Sequence, residues 1–227
     1  MNGILLIDKE LNWTSFDCVA KIRSIVRSVD GKKVKVGHAG TLDPLASGLL
    51  IILVGSYTKK AEELTKKDKV YEVGMELGYS STTGDLEGER IKISDYVPLI
   101  EEIELTMSKY VGSISQVPPI YSAIKINGVR SYKLAREGKE VEIKPRLINI
   151  KSIDLVNYSY PNVQFTAIVS SGTYIRSLVS DMGSDLDTGA YATSIRRTSI
   201  DKFNISSAVK IGSLNKENIQ DYLISDL

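Results

Sequence analysis

One cysteine, Cys18, and one histidine, His38, stand among 227 residues. No intramolecular disulfide can form, and no set of thiols and imidazoles can hold a structural zinc. A zinc deaminase is excluded by the same count, because its metal needs an H-x-E and a P-C-x-x-C ligand set. Long apolar runs are missing too. The longest, Leu49 to Val54, falls far short of the roughly 20 residues of a spanning helix. The opening MNGILLIDKE reaches charge after four apolar positions, which fits neither a signal peptide nor a membrane anchor. With a single thiol, these features point to a reducing cytoplasm.

A net excess of charge is also absent, with 29 Lys and Arg against 28 Asp and Glu. The total hides an uneven distribution. Between residues 21 and 35, Lys21, Arg23, Arg27, Lys32, Lys33 and Lys35 face one acid, Asp30. Residues 125–146 carry seven cations against three glutamates, whereas residues 84–104 hold seven acids and two cations. Such runs describe either solvated surface or a nucleic-acid footprint, and charge alone does not choose.

What is present is an ordinary folded composition, 42% hydrophobic and 25% charged. No repeat, low-complexity tract or Gly/Ser linker divides the chain, so a single domain over residues 1–227 is expected. Gly3–Ile7 reads as a strand. Ser15 is a candidate cap for a helix through Val29, with Phe16, Val19, Ala20, Ile22, Val26 and Val29 on its apolar face. Gly48–Gly55 reads as a buried central strand, Tyr57–Leu64 as a helix and Val70–Leu77 as a strand. A turn-rich loop, GYSSTTGDLEGE, follows. Helices are expected over 99–109, 130–137, 173–186 and 213–223, and strands over 110–115, 122–126, 140–157, 162–170 and 191–200. Without regular βαβ alternation, this order predicts an α+β fold with a mixed, largely antiparallel central sheet flanked by helices.

Chemistry concentrates in Val36–Gly48, where three glycines, a proline and one carboxylate form a rigid loop that presents Asp43 beside the buried strand. Read by type alone, Asp43 caps a turn before Pro44, and His38 is a satisfied loop histidine with no second ligand for a metal.

The segment GHAGTLDPLASGLL closely resembles the motif of the TruB family of tRNA pseudouridine synthases. Five further blocks resemble that family in its own order: GILLIDKELNWTS, KVYEV, QVPPIYSAIKINGVRSYKLAREG, SSGTYIRSLVSDMG and SIRRTSI. The resemblance implies the pseudouridine synthase fold and isomerisation of uridine 55 in the T-loop of tRNA, with no cofactor and no metal. It makes Asp43 the catalytic aspartate, Tyr71 the aromatic that stacks on the flipped base, and Arg176 the guanidinium that pairs with Asp43. Tyr174 matches a second pocket aromatic and Ile195 an apolar residue packed against the uracil. His38 matches the histidine that fills the space of extruded bases. Lys9 either supports the catalytic loop or touches substrate. Residues 117–146 resemble a mobile basic thumb that closes on the RNA, with Lys125, Arg130 and Lys133 among its contacts.

Three positions depart from the family pattern. Glu10 replaces the proline usual after Lys9. Thr82 stands where an acid is usual, with Asp85 nearby in sequence as a substitute. Only about 27 residues follow the last block, too few for the C-terminal PUA domain common in the family. Dependence on contacts with the T-arm of tRNA is therefore expected, and a monomer is expected because no exposed heptad or long apolar surface helix suggests self-association. A tRNA-folding chaperone without catalysis and a synthase acting on another RNA stem-loop are the alternatives.

Overall fold

A computed structural model describes residues 1–122, 124–126, 128–138 and 142–225. The chain forms two compact units, Met1–Tyr71 with Ile195–Leu227, and Glu72–Ser194. The division falls within two strands, β4 (Lys69–Leu77) and β12 (Ala190–Ile200), each of which contributes to both units.

The first unit begins with β1 (Gly3–Lys9) and α1 (Ser15–Asp30), followed by β2 (Val36–Ala39), β3 (Ala46–Val54) and a short α2 (Ala61–Thr65). It ends with the brief strands β13 (Phe203–Asn204) and β14 (Val209–Lys210). β3 is its centre, antiparallel to β1 with Ile7 opposite Leu50, antiparallel to β2 with His38 opposite Ile52, and parallel to β12 with Ile195 opposite Ala46. β14 adds a parallel edge to β1. Leu49, Ile51 and Leu53 pack with Ile4, Leu6, Leu64, Ile200 and Phe203 on one face, and Leu50 and Ile52 on the other are equally buried. A strand covered on both faces reads as a continuous apolar run, which is why LLIILV shows no alternation.

The cap of α1 lies one residue earlier than expected, and Ser15 is its first helical residue. Thr14 is the N-cap, its hydroxyl accepting from the Asp17 N–H while the Asp17 carboxylate accepts from the Thr14 N–H, a reciprocal capping box. Gly31 closes the helix in the left-handed region, φ 65°. Cys18, Val19, Ile22 and Val26 form the buried stripe. Phe16, expected on that stripe, is 63% exposed, because position 16 lies on the helix face away from 19, 22 and 26.

The second unit contains the hairpin β5 (Tyr79–Ser81) and β6 (Arg90–Lys92), then α3 (Ile100–Lys109) and β7 (Gly112–Gln116). A two-stranded ribbon, β8 (Lys125–Ile126) with β9 (Val129–Arg130), leads into α4 (Ser131–Arg136). The long strands β10 (Arg146–Ser159) and β11 (Asn162–Val169) precede α5 (Ile175–Asp185). Its sheet runs β12–β4–β11–β10–β7, with β10 antiparallel to both β11 and β7. The α+β expectation, with a mixed and largely antiparallel sheet, holds.

Three local expectations fail. The loop expected from Val36 begins with a strand, β2, so His38 lies on a strand. The helix expected over 57–64 is a 3-10 segment, Gly55–Lys60, continued by α2. The helix expected over 213–223 does not form. Asn215 and Asn218 divert its backbone, the Asn215 side-chain oxygen accepting from the N–H groups of Glu217 and Asn218 and that of Asn218 from the N–H of Asn215. Only 3-10 turns at Ile211–Ser213 and Ile219–Tyr222 remain.

Candidate active site

The loop between β2 and β3 carries Asp43, half-buried, at its turn. The turn is closed by the Ala46 N–H donating to the Asp43 carbonyl at 3.0 Å. The start of α1 and the turn before it hold the loop from one side. The Ser15 hydroxyl, fully enclosed, accepts from the Leu42 N–H at 2.8 Å and donates to the Leu42 carbonyl at 3.1 Å. The Asn12 N–H donates to the Pro44 carbonyl at 2.9 Å.

Two buried cations complete the support. Lys9 has no solvent exposure, and its ammonium donates to the carbonyls of Trp13 at 2.6 Å, Glu10 at 3.0 Å and Pro44 at 3.4 Å. All three donors are used on backbone, so Lys9 supports the loop; these contacts are not those of a substrate-binding lysine. They also show how Glu10 is accommodated, since the turn uses its carbonyl and leaves its side chain exposed. Burial pushes the Lys9 ammonium down to about 8, partly offset by the nearby Cys18 and Asp43 side chains.

Arg197 is the second cation and was not singled out from sequence. It is 1% exposed and donates to the carbonyls of Leu49 at 2.7 Å, Gly40 at 3.0 Å and Thr41 at 3.4 Å. Among the described residues no carboxylate pairs with it. The signal was available, because an arginine doublet within a strand must place its members on opposite faces. Arg196 points outward to Asp8 at 2.9 Å, and Arg197 points into the interior. Lys69, 6% exposed, lies beside it with its ammonium on the Thr65 carbonyl at 2.6 Å and on the Lys67 carbonyl. Burial and then Arg197 push it to about 8.

Gly48 makes this arrangement possible. A Cβ there would lie 2.2 Å from the Arg197 carbonyl oxygen, and its φ of 101° is open to glycine. The register that brings Arg197 opposite Gly48 also brings Ile195 opposite Ala46, three residues after Asp43. His38, on β2, is half-buried, and burial first, then the Arg197 charge, hold its imidazole below the ordinary range. Its Nδ1 is buried with no hydrogen-bond partner. Tyr71, at the end of the first unit's share of β4, is 8% exposed.

In the second unit, Arg176 is a buried clasp, 6% exposed. Its guanidinium donates to the Thr83 carbonyl at 3.0 Å and the Tyr121 carbonyl at 2.8 Å, and lies 3.3 Å from the Asp85 carboxylate. Asp85 is itself oriented by the Thr83 hydroxyl and by the Glu87 N–H at 3.1 Å. Thr82, where an acid is usual, is exposed and closes the β5–β6 hairpin with Glu89. Asp85, three residues after Thr82, is an acid that lies against the Arg176 guanidinium. Tyr174 caps α5, its backbone N–H and carbonyl both bonded to the Gln116 amide at 2.8 and 3.1 Å. Arg130 and Lys133 are exposed on β9 and α4, while the Lys125 side chain lies outside the described residues.

Among the described residues no group of acids, histidines and thiols has the arrangement of a metal site, and no helix is long and apolar enough to cross a membrane. Residues 27–175 match the family described as TruB family pseudouridylate synthase (N terminal domain). The chain is similar to tRNA pseudouridine synthase B of Clostridium novyi (strain NT), 43% identical over 99% of this chain and 76% of that one. It is 38% identical to tRNA pseudouridine synthase B of Phocaeicola vulgatus, covering 97% of this chain and 96% of that one. A solved Cbf5-Nop10-Gar1 complex contains a chain with TM-score 0.69 and 27% identity, matched over 93% of this chain and about half, 53%, of its own length.

Proposed function

Because the chain belongs to the TruB family of pseudouridylate synthases and makes pseudouridine in tRNA, we propose that its target is uridine 55 of the T-loop and that Asp43 carries the reaction. The net change is an isomerisation. The N1–C1′ bond breaks, the uracil turns, C5 bonds to C1′, the C5 hydrogen leaves as a proton and N1 gains one.

The observation that supports this reading best is the loop beneath Asp43. Arg197 donates to the Gly40 and Thr41 carbonyls of the loop and Lys9 ties the Pro44 carbonyl to the β1–α1 turn, while Ser15 fixes Leu42 next to the aspartate. A carboxylate presented this way needs no reorganisation when positive character develops at C1′ of the ribose, which is the condition under which a fixed charge lowers a barrier most.

The remaining roles follow from the motif blocks and the surroundings of each side chain. Tyr71 stacks on the flipped uracil, and Ile195, in register beside the Asp43 loop, packs on it. Arg176 serves as the counter-ion of Asp43, with a planar guanidinium held by two carbonyls and Asp85. Tyr174 lines the base pocket. His38, neutral and without a partner at Nδ1, fills space left by extruded bases, a steric role that suits an imidazole held below its ordinary range. Extruding a base costs a few kcal/mol. RNA contacts by the 117–146 segment, through Arg130, Lys133 and Lys125, supply it. In this reading the chain acts as one catalytic domain, as a cytoplasmic monomer, without cofactor.

The test is a pseudouridine map, by carbodiimide adduct and primer extension, of an unmodified tRNA transcript treated with wild-type protein and with Asp43→Asn. One new stop at the T-loop uridine, with wild type only, is expected. A stop elsewhere overturns the position, a stop with both proteins overturns the role of Asp43, and binding without any stop turns the reading to a tRNA-folding chaperone.

A further inference from the structure

The thumb-like segment is one basic surface of this chain, and a second has no role so far. Arg23 and Arg27 lie along one side of α1 and Lys32, Lys33 and Lys35 are exposed in the turn after it, while Lys21 lies on another side of the helix over the Trp13 ring. None of the six has a carboxylate within ion-pair distance among the described residues. The acids that might neutralise them are engaged elsewhere: Asp30 pairs with the N-terminal ammonium of Met1, and Asp17 is held in the capping box of Thr14. In the same unit Lys66, Lys67 and Arg196 have acidic partners, whereas the exposed Lys59, Lys60 and Lys202 have none among the described residues and serve below as the control.

Interaction with the α1 macrodipole accounts for Arg27, in the last helical turn. It does not account for Lys32 and Lys33, which lie beyond the Gly31 cap, since that effect fades within the last turn. Phe16, Ala20, Arg23 and Arg27 recur at helical spacing along one exposed stripe, roughly 16 Å long at 1.5 Å per residue. The Arg23 guanidinium lies over the exposed Phe16 ring at 5.7 Å and also reaches the Val36 carbonyl at 3.4 Å, so the cation is held in place on the surface.

The stripe starts at the reacting loop. Ser15, immediately before Phe16, is the residue that binds Leu42 beside Asp43, and the far end leads through Lys35 into β2 and His38. The reacting loop and the row of unneutralised cations thus belong to the same compact unit, joined through the Ser15–Leu42 bonds at one end of α1 and through β2 at the other.

We propose that Arg23, Arg27, Lys32 and Lys33 form a second RNA-binding surface, which takes the phosphate backbone of the substrate tRNA beside the reacting loop. The proposal rests on the tRNA-modifying reading above and adds to it a surface distinct from the 117–146 segment. Such cations give affinity and orientation without reading sequence.

The test compares two triple variants of the full chain, each losing three exposed cations of the first unit: Arg27→Gln/Lys32→Gln/Lys33→Gln and Lys59→Gln/Lys60→Gln/Lys202→Gln. Binding of an unmodified tRNA transcript is measured across a salt series, with kcat and KM alongside. The slope of log K against log salt is expected to fall in magnitude by about 0.9 for each phosphate no longer neutralised, hence by about 2 to 3 in the first triple. The second triple keeps the wild-type slope. KM rises in the first triple and kcat stays the same. Equal slopes in all three proteins, or an equal fall in both triples, overturn the proposal, the latter by reducing it to net charge. A wild-type protein that binds the transcript without forming pseudouridine overturns the proposed reaction instead, and the slope comparison still decides the surface.

Discussion

Replacing Arg197 with methionine separates support of the reacting loop from stability of the fold. The guanidinium makes two short bonds, to Leu49 at 2.7 Å and Gly40 at 3.0 Å, and one long bond to Thr41 at 3.4 Å. Charged hydrogen bonds contribute about 1.5–3 kcal/mol each, so the substitution forfeits roughly 3–6 kcal/mol of interaction. Against this, a buried ion with no carboxylate partner carries a desolvation cost of several kcal/mol, which methionine removes while filling most of the space. The two nearly cancel, and the unfolding free energy should change by no more than about 2 kcal/mol. The loop, however, loses its hold on Gly40 and Thr41, and a displacement of order 1 Å costs on the order of 100-fold in rate, about 2.7 kcal/mol of barrier. Single-turnover release of the C5 hydrogen, followed as tritium from labelled tRNA, reads the rate, and urea unfolding reads the stability. Arg197→Lys, which keeps the charge but not the fork, should recover only part of the rate. A methionine variant with wild-type turnover, or one whose activity loss tracks its loss of folded protein, refutes the reasoning.

Gly48→Ala places a methyl 2.2 Å from the Arg197 carbonyl at a φ of 101° and should cost more than about 4 kcal/mol; a soluble, cooperatively unfolding variant would contradict the β3–β12 register. Asp85→Asn leaves the shape beside Arg176 but removes the charge at 3.3 Å, and a loss of about 2 kcal/mol is expected in urea unfolding, whereas Thr82→Asp in the exposed hairpin should leave stability unchanged. Burial raises the Cys18 thiol from 9.0 to about 11. Because the unfolded thiol ionises first, its contribution to stability is complete below pH 9 and is lost as pH rises through 11, by about 2–3 kcal/mol in all. Lys9 and Lys69, pushed down to about 8, act in the opposite sense, their cost being relieved as pH rises from 8 to 10.5. Cys18→Ala should therefore gain stability from pH 8 to 10 more steeply than wild type; parallel curves would show that burial does not hold the thiol's proton.

Much of the fold was legible because its strands and helices carry strong local signals. LLIILV, the α1 stripe and the β10–β11 pair all fall near where periodicity and apolar runs put them. What misled is equally physical. Phe16 has helical spacing from Ala20 but faces outward, and Asn215 and Asn218 compete with the helix that an apolar period suggests. In the candidate site, the motif blocks singled out Asp43, Tyr71 and Arg176, the residues to which the proposed reaction is assigned. Residues that act from beneath were not. Lys9 was split between two roles, and Arg197 was passed over within its block, although strand alternation turns one member of the arginine doublet inward. Asp85 was found only as a neighbour of Thr82, since a hairpin decides which acid meets a distant arginine.

The first unit is assembled from two stretches of chain separated by the 123 residues Glu72–Ser194. Arg197 and the strand that pairs with Gly48 belong to the later stretch. On the ribosome, at about 5–20 residues per second, the Asp43 loop therefore emerges roughly 8–31 s before its supporting arginine. During that interval β3 exposes an apolar edge with no β12 beside it, and Gly40 and Thr41 have no guanidinium to bind. A nascent chain can make β1, α1 and β3, yet it cannot set the aspartate. The support of the Asp43 loop is complete only once β12 is synthesised, and until then the β12 side of β3 stays unpaired.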